Sequence, residues 1–338
     1  MKAIVFRRGQ FEIEEVDRPQ VGAGEALIRV KACAICSSDV KFYHSLIESG
    51  DTEAHILGHE FAGEIAEVSE GNQGFAPGDP VVVDPIQHCG YCAECEKGRT
   101  NLCRNAQVIG FTLDGAFAEY IKARISSLHR LPQGVSFVEA ALSEPLASAC
   151  HTISRLRVSP GETAAVIGPG PIGLLMSTVL KLRGAYVIMI GTRKSRLEAA
   201  ERIGADCIIN SLEKDPLREA EKTTGKVDVA IDAVGSPKTE ALALELIGRG
   251  GRVGLFGAPR AEERLQVNPL ELILKDQELI AINSAPATFF VQAINLIDKK
   301  LVNLEPIITH VVPSKDFKKA LSVLEERQED VIKVVVKS

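Results

Sequence analysis

The pattern of apolar and polar residues changes near residue 150. Before that point, short alternating or β-branched runs such as ALIRVKA and VVVDP are separated by glycine and proline turns, which is typical of an irregular, mostly antiparallel β domain. From Ala164 onward, fully apolar segments such as AYVIMIG alternate with amphipathic helical segments. Strands that are apolar on both faces indicate a parallel, doubly wound sheet with helices on both sides. The pattern therefore predicts an α/β domain together with a mainly β domain.

The same pattern predicts how the chain is divided. The mainly β texture covers residues 1–152, and the strand-turn-helix repeat covers 153–284. Residues 285–338 end in the strand-like run IKVVV, whose texture resembles the first domain, so we expect this segment to return there. A chain of 338 residues with 45% hydrophobic residues is long enough for two such cores.

Charge and overall hydropathy narrow the class of partner. The net charge is -6, and the 39 basic residues are scattered along the chain, which argues against a nucleic-acid partner. We find neither a signal-peptide-like apolar segment nor an apolar run of about 18 residues. We therefore expect a cytoplasmic protein without a membrane partner.

Four cysteines form the densest motif of the chain. Cys89, Cys92, Cys95 and Cys103 have C-x2-C-x2-C-x7-C spacing, which allows four thiolates to converge on one tetrahedral structural zinc ion. Disulfide pairing is the alternative, but neighbouring C-x2-C thiols would form small strained loops. A zinc-ribbon module that binds nucleic acid would also use such a motif, although it fits poorly with an acidic chain.

A glycine-rich loop follows the first apolar strand of the α/β region. It reads Gly168-Pro169-Gly170-Pro171-Ile172-Gly173, and it lies between a predicted strand and a predicted helix. This context supplies a tight turn, a close backbone approach and free N–H groups at a helix N-terminus, which together bind a pyrophosphate. The loop therefore predicts a dinucleotide site, with a plain strand-to-helix turn as the alternative.

The end of the next strand indicates which dinucleotide is used. An NAD site usually has Asp or Glu there to bind the ribose 2′-OH, whereas this strand ends in Gly191 and Thr192. Arg193 or Arg196 could pair with the 2′-phosphate of NADP through a planar guanidinium. The alternative is a solvated basic loop, but the missing acid favours NADP over NAD.

A second, more dispersed set of residues has zinc-ligand chemistry. Cys36, His59, Glu60 and Glu144 offer a thiol, an imidazole and carboxylates, and three such ligands plus water form an open catalytic zinc site. Singly, each has an ordinary interpretation: a packed cysteine, a satisfied core histidine or a helix cap. Cys33, Cys150 and Cys207 are interpreted as small core residues.

In this order, the motifs GHEFAGEI, the four cysteines, SEPLA and GPGPIG resemble the zinc-dependent medium-chain alcohol dehydrogenases over essentially the whole chain. The resemblance is strongest to the polyol, sorbitol and threonine dehydrogenase branch, in which Glu144 takes the place of a third cysteine. It implies a GroES-like catalytic domain (1–152, with 285–338 returning to it), which holds both zinc ions, and a Rossmann domain (153–284). It also implies a homo-oligomer, a dimer or a tetramer.

The resemblance also implies roles for individual residues. Cys36 and His59 take the positions of catalytic zinc ligands, with either Glu60 or Glu144 as the third. Ser38 takes the position of the hydroxyl that begins the proton relay, and Asp39 that of the acid that orients the zinc histidine. Lys41 stands where many members have a histidine, so the exit route of the proton is open.

The implied activity is hydride transfer between a secondary alcohol or polyol and NAD(P), through an alkoxide at the zinc. Zinc-free quinone reductases and non-catalytic NADP-binding relatives share the fold and form the rival interpretation, although they lack the ligands. The motifs do not fix the substrate.

Overall fold

The structure is a computed structural model that describes residues 1–71, 74–326 and 331–338. Its strands are β1 (Lys2–Arg7), β2 (Gln10–Glu15), β3 (Glu25–Ala34), β4 (His55–Ile56), β5 (Glu60–Val68), β6 (Pro80–Val83), β7 (Ile86–Gln87), β8 (Gln107–Val108), β9 (Tyr120–Arg124), β10 (Leu128–Arg130), β11 (Thr163–Ile167), β12 (Tyr186–Gly191), β13 (Cys207–Asn210), β14 (Val227–Asp232), β15 (Ile247–Leu255), β16 (Glu278–Ala281), β17 (Ile308–Pro313) and β18 (Lys333–Lys337). Its helices are α1 (Ser37–Ser49), α2 (Ala93–Glu96), α3 (Phe137–Ala140), α4 (Ser143–Arg155), α5 (Pro171–Leu182), α6 (Lys194–Arg202), α7 (Pro216–Thr224), α8 (Pro237–Leu246), α9 (Pro269–Lys275), α10 (Thr288–Asp298) and α11 (Phe317–Glu325).

The chain forms two compact units. The first contains Met1–Ala147, Ala285–Lys300 and Ile308–Ser338, and the second contains Ser148–Ser284 and Leu301–Ile307. The helix α4 runs across the first boundary, so the change of texture near residue 150 falls inside a helix.

The first unit is built on a mostly antiparallel sheet. Its strand order is β10-β6-β5-β3-β18-β17, with β9 also paired to β3, and a smaller sheet has the order β2-β1-β4. The strand β18 lies antiparallel to β3, so the C-terminal segment completes this sheet. Apolar side chains on the sheet, including Ile28, Phe61 and Val334, pack into one buried core.

The second unit is built on a parallel sheet of order β13-β12-β11-β14-β15-β16. The central strand β11 pairs in parallel with both β12 and β14, so the chain winds outward from it in both directions. Ala165, Ile188 and Ala230 are fully buried, as expected for strands covered on both faces. The predicted fold class, a doubly wound α/β domain with a mainly β domain, is confirmed.

Residues 301–307 differ from the prediction that all of 285–338 joins the first domain. They belong to the second unit, where Leu304 and Ile307 are buried and Glu305 forms an ion pair with Arg202 of α6. These seven residues show neither the helical nor the strand periodicity, so the sequence does not indicate which unit they join. No helix in the described parts of the chain has the length and apolar character needed to cross a membrane.

Candidate active site

The ends of β3 and β5 bring three potential metal ligands together. Ala34 at the end of β3 lies opposite Glu60 at the start of β5, and the chain then continues from Ala34 to Cys36, the N-cap of α1. His59 directly precedes Glu60. One ligand atom each from Cys36, His59 and Glu60 lies within 4.8 Å of the others. Two neighbouring strands thus position a thiol, an imidazole and a carboxylate at one place.

Asp39 fixes both Cys36 and His59. One carboxylate oxygen of Asp39 accepts the backbone N–H of Cys36 at 2.8 Å and so closes the first turn of α1. The other lies 3.0 Å from His59 Nδ1. This contact assigns the proton of a neutral imidazole to Nδ1 and directs the lone pair of Nε2 towards the ligand cluster.

The electrostatics of this place favour a cation. Burial of His59 opposes protonation of its ring, but the charge and hydrogen bond of Asp39, followed by Cys36, outweigh it and raise the pKa of His59 well above its usual value. The same anionic neighbours would stabilise a divalent metal ion. The donor set therefore fits zinc in both ligand chemistry and charge.

Ser38 lies in the first turn of α1, next to the ligands. Its hydroxyl oxygen lies 3.4 Å from His59 Nε2, and its backbone N–H donates to the sulfur of Cys36 at 3.5 Å. The helix start therefore places a hydroxyl beside the position that a metal ion bound by His59 would occupy. Lys41, one turn further along, is exposed.

Glu60 forms a buried ion pair with Lys333, a residue that the sequence analysis missed. The Nζ atom of Lys333 lies 2.7 Å from one carboxylate oxygen of Glu60, and both side chains are almost fully buried. Burial alone would lower the pKa of Lys333, but the charge of Glu60, followed by that of Cys36, raises it. The sequence offers one signal for this ion pair, which is a lysine within the apolar run VIKVVV. A lysine that points into the core from such a run requires an oppositely charged partner.

Glu144 lies at the start of α4 and is not part of the described cluster of Cys36, His59 and Glu60. It lies near Asp84, a buried residue that follows β6. Burial, followed by the negative charge of Glu144, raises the pKa of Asp84 to about 8. Of the two carboxylates that the sequence left as alternatives, the described cluster contains that of Glu60.

The four cysteines of the dense motif converge in a second cluster. The measured Sγ–Sγ distances are 3.5 Å for Cys92–Cys95 and Cys89–Cys103, 3.9 Å for Cys92–Cys103 and 4.0 Å for Cys89–Cys95. Disulfide sulfurs would lie about 2.05 Å apart. Four sulfurs bonded at about 2.3 Å around a tetrahedral zinc lie about 3.8 Å apart, which is the spacing seen here.

The thiols of this cluster titrate differently. Backbone N–H groups of Cys95 and Arg104 lower the pKa of Cys92 to about 6. Burial, followed by the neighbouring sulfurs, raises the pKa of Cys95 to about 12. Four close thiolates without a cation repel one another, so this arrangement fits a bound metal ion that deprotonates all four.

The glycine loop of the second unit has the geometry of a phosphate-binding turn. Gly168 has a positive φ of 104°, and Gly170 is the N-cap of α5, with Pro171 at its first position. A Cβ atom on Gly173 would lie 2.0 Å from the carbonyl oxygen of Gly168, so only glycine allows this packing. The loop therefore leaves the N-terminus of α5, including Ile172, open to an anion.

The residues predicted to choose the dinucleotide lie beside this loop. Gly191 ends β12, Thr192 is exposed, and Arg193 is the N-cap of α6. Arg196 reaches towards the loop, since its Nη1 lies 4.0 Å from the position of a Cβ on Gly170. The end of β12 next to the glycine loop is therefore followed by basic residues and carries no carboxylate.

The buried pair predicts an unequal effect of two lysine substitutions. Lys333→Met leaves the Glu60 carboxylate buried without its ammonium partner, so we expect a loss of about 3–5 kcal/mol in the free energy of unfolding. Lys318→Met breaks an exposed ion pair with Glu12 and should cost at most about 1 kcal/mol. Denaturant unfolding measures both, and equal losses would contradict the structural role given to Lys333.

Comparison with known proteins identifies the family. The alcohol dehydrogenase GroES-like domain family matches residues 22–133, and the zinc-binding dehydrogenase family matches 171–299. A sorbitol dehydrogenase of Halalkalibacterium halodurans is 34% identical over 99% of both chains. A crystal structure of an Escherichia coli CFT073 alcohol dehydrogenase with NADH has a TM-score of 0.92 at 30% identity, covering 100% of this chain and 99% of that one. A zinc-binding dehydrogenase from Sinorhizobium meliloti bound to NADP has a TM-score of 0.91 at 28% identity, again covering 100% and 99%.

These matches cover both metal-ligand clusters and the helix that follows the glycine loop, so neither a nucleic-acid zinc ribbon nor a zinc-free relative is retained. The protein is an NAD(P)-dependent alcohol or polyol oxidoreductase. The chain belongs to the zinc-dependent medium-chain alcohol dehydrogenases, in the branch that contains the sorbitol and threonine dehydrogenases.

Proposed function

We propose that this enzyme oxidises a secondary hydroxyl of a polyol or sugar-derived alcohol at a zinc ion held by Cys36, His59 and Glu60. The observation that carries the proposal is the convergence of these three side chains within 4.8 Å. Thiolate, imidazole and carboxylate leave the fourth position of a tetrahedral zinc for substrate. The likeness to a sorbitol dehydrogenase supports a polyol as the substrate.

When bound, zinc supplies a Lewis acid that lowers the pKa of the substrate hydroxyl, and NAD(P) accepts the hydride. The Asp39 carboxylate holds the imidazole of His59 in one tautomer, so its Nε2 atom stays directed at the metal position. The Ser38 hydroxyl, 3.4 Å from that Nε2, is placed to accept the proton that the substrate loses while it passes its own proton on towards solvent. The chain thus orients the metal ligand through one acid and starts the proton relay through one hydroxyl.

Glu60 is the third ligand in this proposal, and Glu144 is not. The carboxylate of Glu60 lies in the cluster and is held from its other side by Lys333. Glu144 lies beside Asp84, where its negative charge stabilises the protonated form of that acid.

The cluster of Cys89, Cys92, Cys95 and Cys103 holds a second, structural zinc ion. All four positions are filled by sulfur, so the site has no open place for substrate. The proposed content is therefore two zinc ions per chain. The sulfur atoms of this cluster lie 3.5–4.0 Å apart, too far for disulfide bonds, which supports a reducing compartment, the cytoplasm, as the place of action.

We assign NADP as the preferred cofactor. Gly191 provides no carboxylate for a ribose 2′-OH. Arg193 follows two residues later at the N-cap of α6, and the guanidinium of Arg196 reaches towards the loop. A 2′-phosphate adds charge that such groups bind strongly. Solved relatives carry NADH in one case and NADP in another, so the choice rests on these residues of the chain.

The enzyme is proposed to be a homo-oligomer, a dimer or a tetramer. The helix α9 exposes Leu270, Ile273 and Leu274 by 60%, 74% and 64%. The neighbouring strand β16 forms the edge of the parallel sheet within the described residues. Exposed apolar side chains beside an open strand edge are a common self-association surface.

Replacing a catalytic ligand should separate turnover from folding. Cys36→Ser should remove nearly all turnover while the protein still folds and binds cofactor. Cys92→Ser should instead lower the melting temperature, because it opens the structural zinc site. Cys207→Ser, at a cysteine outside both clusters, is the matched control and should keep both properties. Retention of more than a few per cent of activity in Cys36→Ser would refute the zinc assignment.

Replacing Arg193 should act on NADP alone. A charge-assisted phosphate bond contributes about 1.5–3 kcal/mol, so Arg193→Ala should lower kcat/KM for NADP at least about tenfold and leave that for NAD nearly unchanged. Lys194→Ala removes the same charge from the next residue, the first of α6, where the side chain is 85% exposed, and should have little effect. Equal use of NAD and NADP by the wild type would contradict the proposal.

The proposed association surface is tested by light scattering after gel filtration. The wild type should have the mass of a dimer or tetramer, and Ile273→Asp should shift it to a smaller species. Leu212→Asp introduces the same charge at a leucine that is 76% exposed outside α9, and should leave the mass unchanged. A monomeric wild type would rule the surface out.

A further inference from the structure

We infer that Pro169 sets the cofactor selectivity together with Gly191, because its ring fills the space that a ribose-binding carboxylate at position 191 would need. This inference rests on the proposed use of a nicotinamide dinucleotide in the glycine loop. Pro169 was predicted only as an unspecified position of the loop, and the structure gives it a distinct role.

The strand register places Pro169 beside Gly191. The strands β11 and β12 run in parallel with Ile167 opposite Ile190, and the N–H of Gly168 donates to the carbonyl oxygen of Ile190 at 2.9 Å. The chain continues from Ile167 through Gly168 to Pro169 on one side and from Ile190 to Gly191 on the other, which brings the ring of Pro169 against Gly191. Both are buried.

A side chain at position 191 would collide with the proline ring. A Cβ atom built on Gly191 would lie 2.5 Å from both Cδ and Cγ of Pro169, and 3.2 Å from Cδ2 of Leu197. The leucine can rotate away from such a contact. The proline ring is bonded to its own backbone nitrogen and cannot, so the loop itself would have to move.

The backbone of Gly191 does not by itself require glycine. Its φ lies outside the left-handed region in which side chains are strained, and it closes an ordinary strand. The ring of Pro169 is therefore the main obstacle to a larger residue there. Any Asp or Glu that would bind the 2′-OH must start with this Cβ, so Pro169 and a carboxylate at 191 exclude each other.

Because no carboxylate fits at position 191, the ribose and its 2′-substituent must be recognised by the basic residues that follow. Arg193 is the N-cap residue of α6, two residues after the strand end, and Arg196 extends towards Gly170. Selectivity for a 2′-phosphate thus depends on a residue of the loop as well as on the missing acid. A change of preference towards NAD should require two substitutions, one to open the space and one to place the acid.

The exclusion is tested by a double-mutant cycle in the full-length enzyme without cofactor. Gly191→Ala adds only a Cβ, and we expect it to lower the melting temperature by about 2–4 °C or more. In the Pro169→Ala background the same change should lower it by clearly less, since the obstructing ring is gone. A Gly191→Ala protein as stable as the wild type would overturn the inference.

The selectivity is tested by titrating NADPH and NADH against the same proteins and following the cofactor fluorescence. Gly191→Asp alone should weaken binding of both. Pro169→Ala/Gly191→Asp should shift the ratio of the two Kd values at least about tenfold towards NADH, relative to Pro169→Ala. An unshifted ratio in the double variant would overturn the selectivity role. Wild-type preference for NADH would instead refute the proposed NADP preference, and the cofactor-free melting cycle would still test the exclusion.

Discussion

The proposed active site depends on one constraint, which is the balance of charge in the largely buried cluster around His59. Cys36, Asp39 and Glu60 converge there with His59, and buried negative charges are costly unless opposite charges compensate them. Lys333 offsets one such charge from within the fold. In the proposed metal-bound state, the two positive charges of a divalent cation would offset the remaining negative charges, those of the Cys36 thiolate and the Asp39 carboxylate. The charges of this site therefore suit a divalent metal ion.

The order of strands in the first unit makes this balance possible. The strand β3 lies between β5 and β18, so the residue after its end meets the start of β5 on one side and the start of β18 on the other. The N–H of Ile35 donates to the carbonyl oxygen of Val334 at 2.9 Å, which draws Lys333 to the cluster. Residues separated by 273 positions therefore form one ion pair. The C-terminal strand supports the site as well as the sheet.

Local spacing explains what could be predicted from the sequence. The four cysteines lie within fifteen residues, and the glycine loop is a continuous turn, so their chemistry is visible in the printed order. The alternation of apolar strands and helices is equally local, and it predicts the fold class correctly. The proposed ligands Cys36 and His59 are further apart in the sequence, and the resemblance to a family was needed to assign them to one site.

Lateral neighbours explain what could not be predicted. Lys333 acquires its role because β18 pairs with β3, and Pro169 acquires its role because the loop after β11 lies against the end of β12. No period or motif records which residue lies beside which across a sheet. The proposed choice of Glu60 over Glu144 also rests on a lateral neighbour, because Glu60 lies opposite Ala34 where β3 and β5 pair, close to Cys36.

Anomalous diffraction at the zinc absorption edge, from crystals of the zinc-loaded enzyme, tests the central claim most directly. The account predicts two peaks per chain, one among the four cysteines and one about 2.3 Å from Cys36 Sγ and about 2.0–2.1 Å from His59 Nε2, with a Glu60 oxygen completing the protein ligands. A single peak among the four cysteines, with none between Cys36 and His59, would contradict the account.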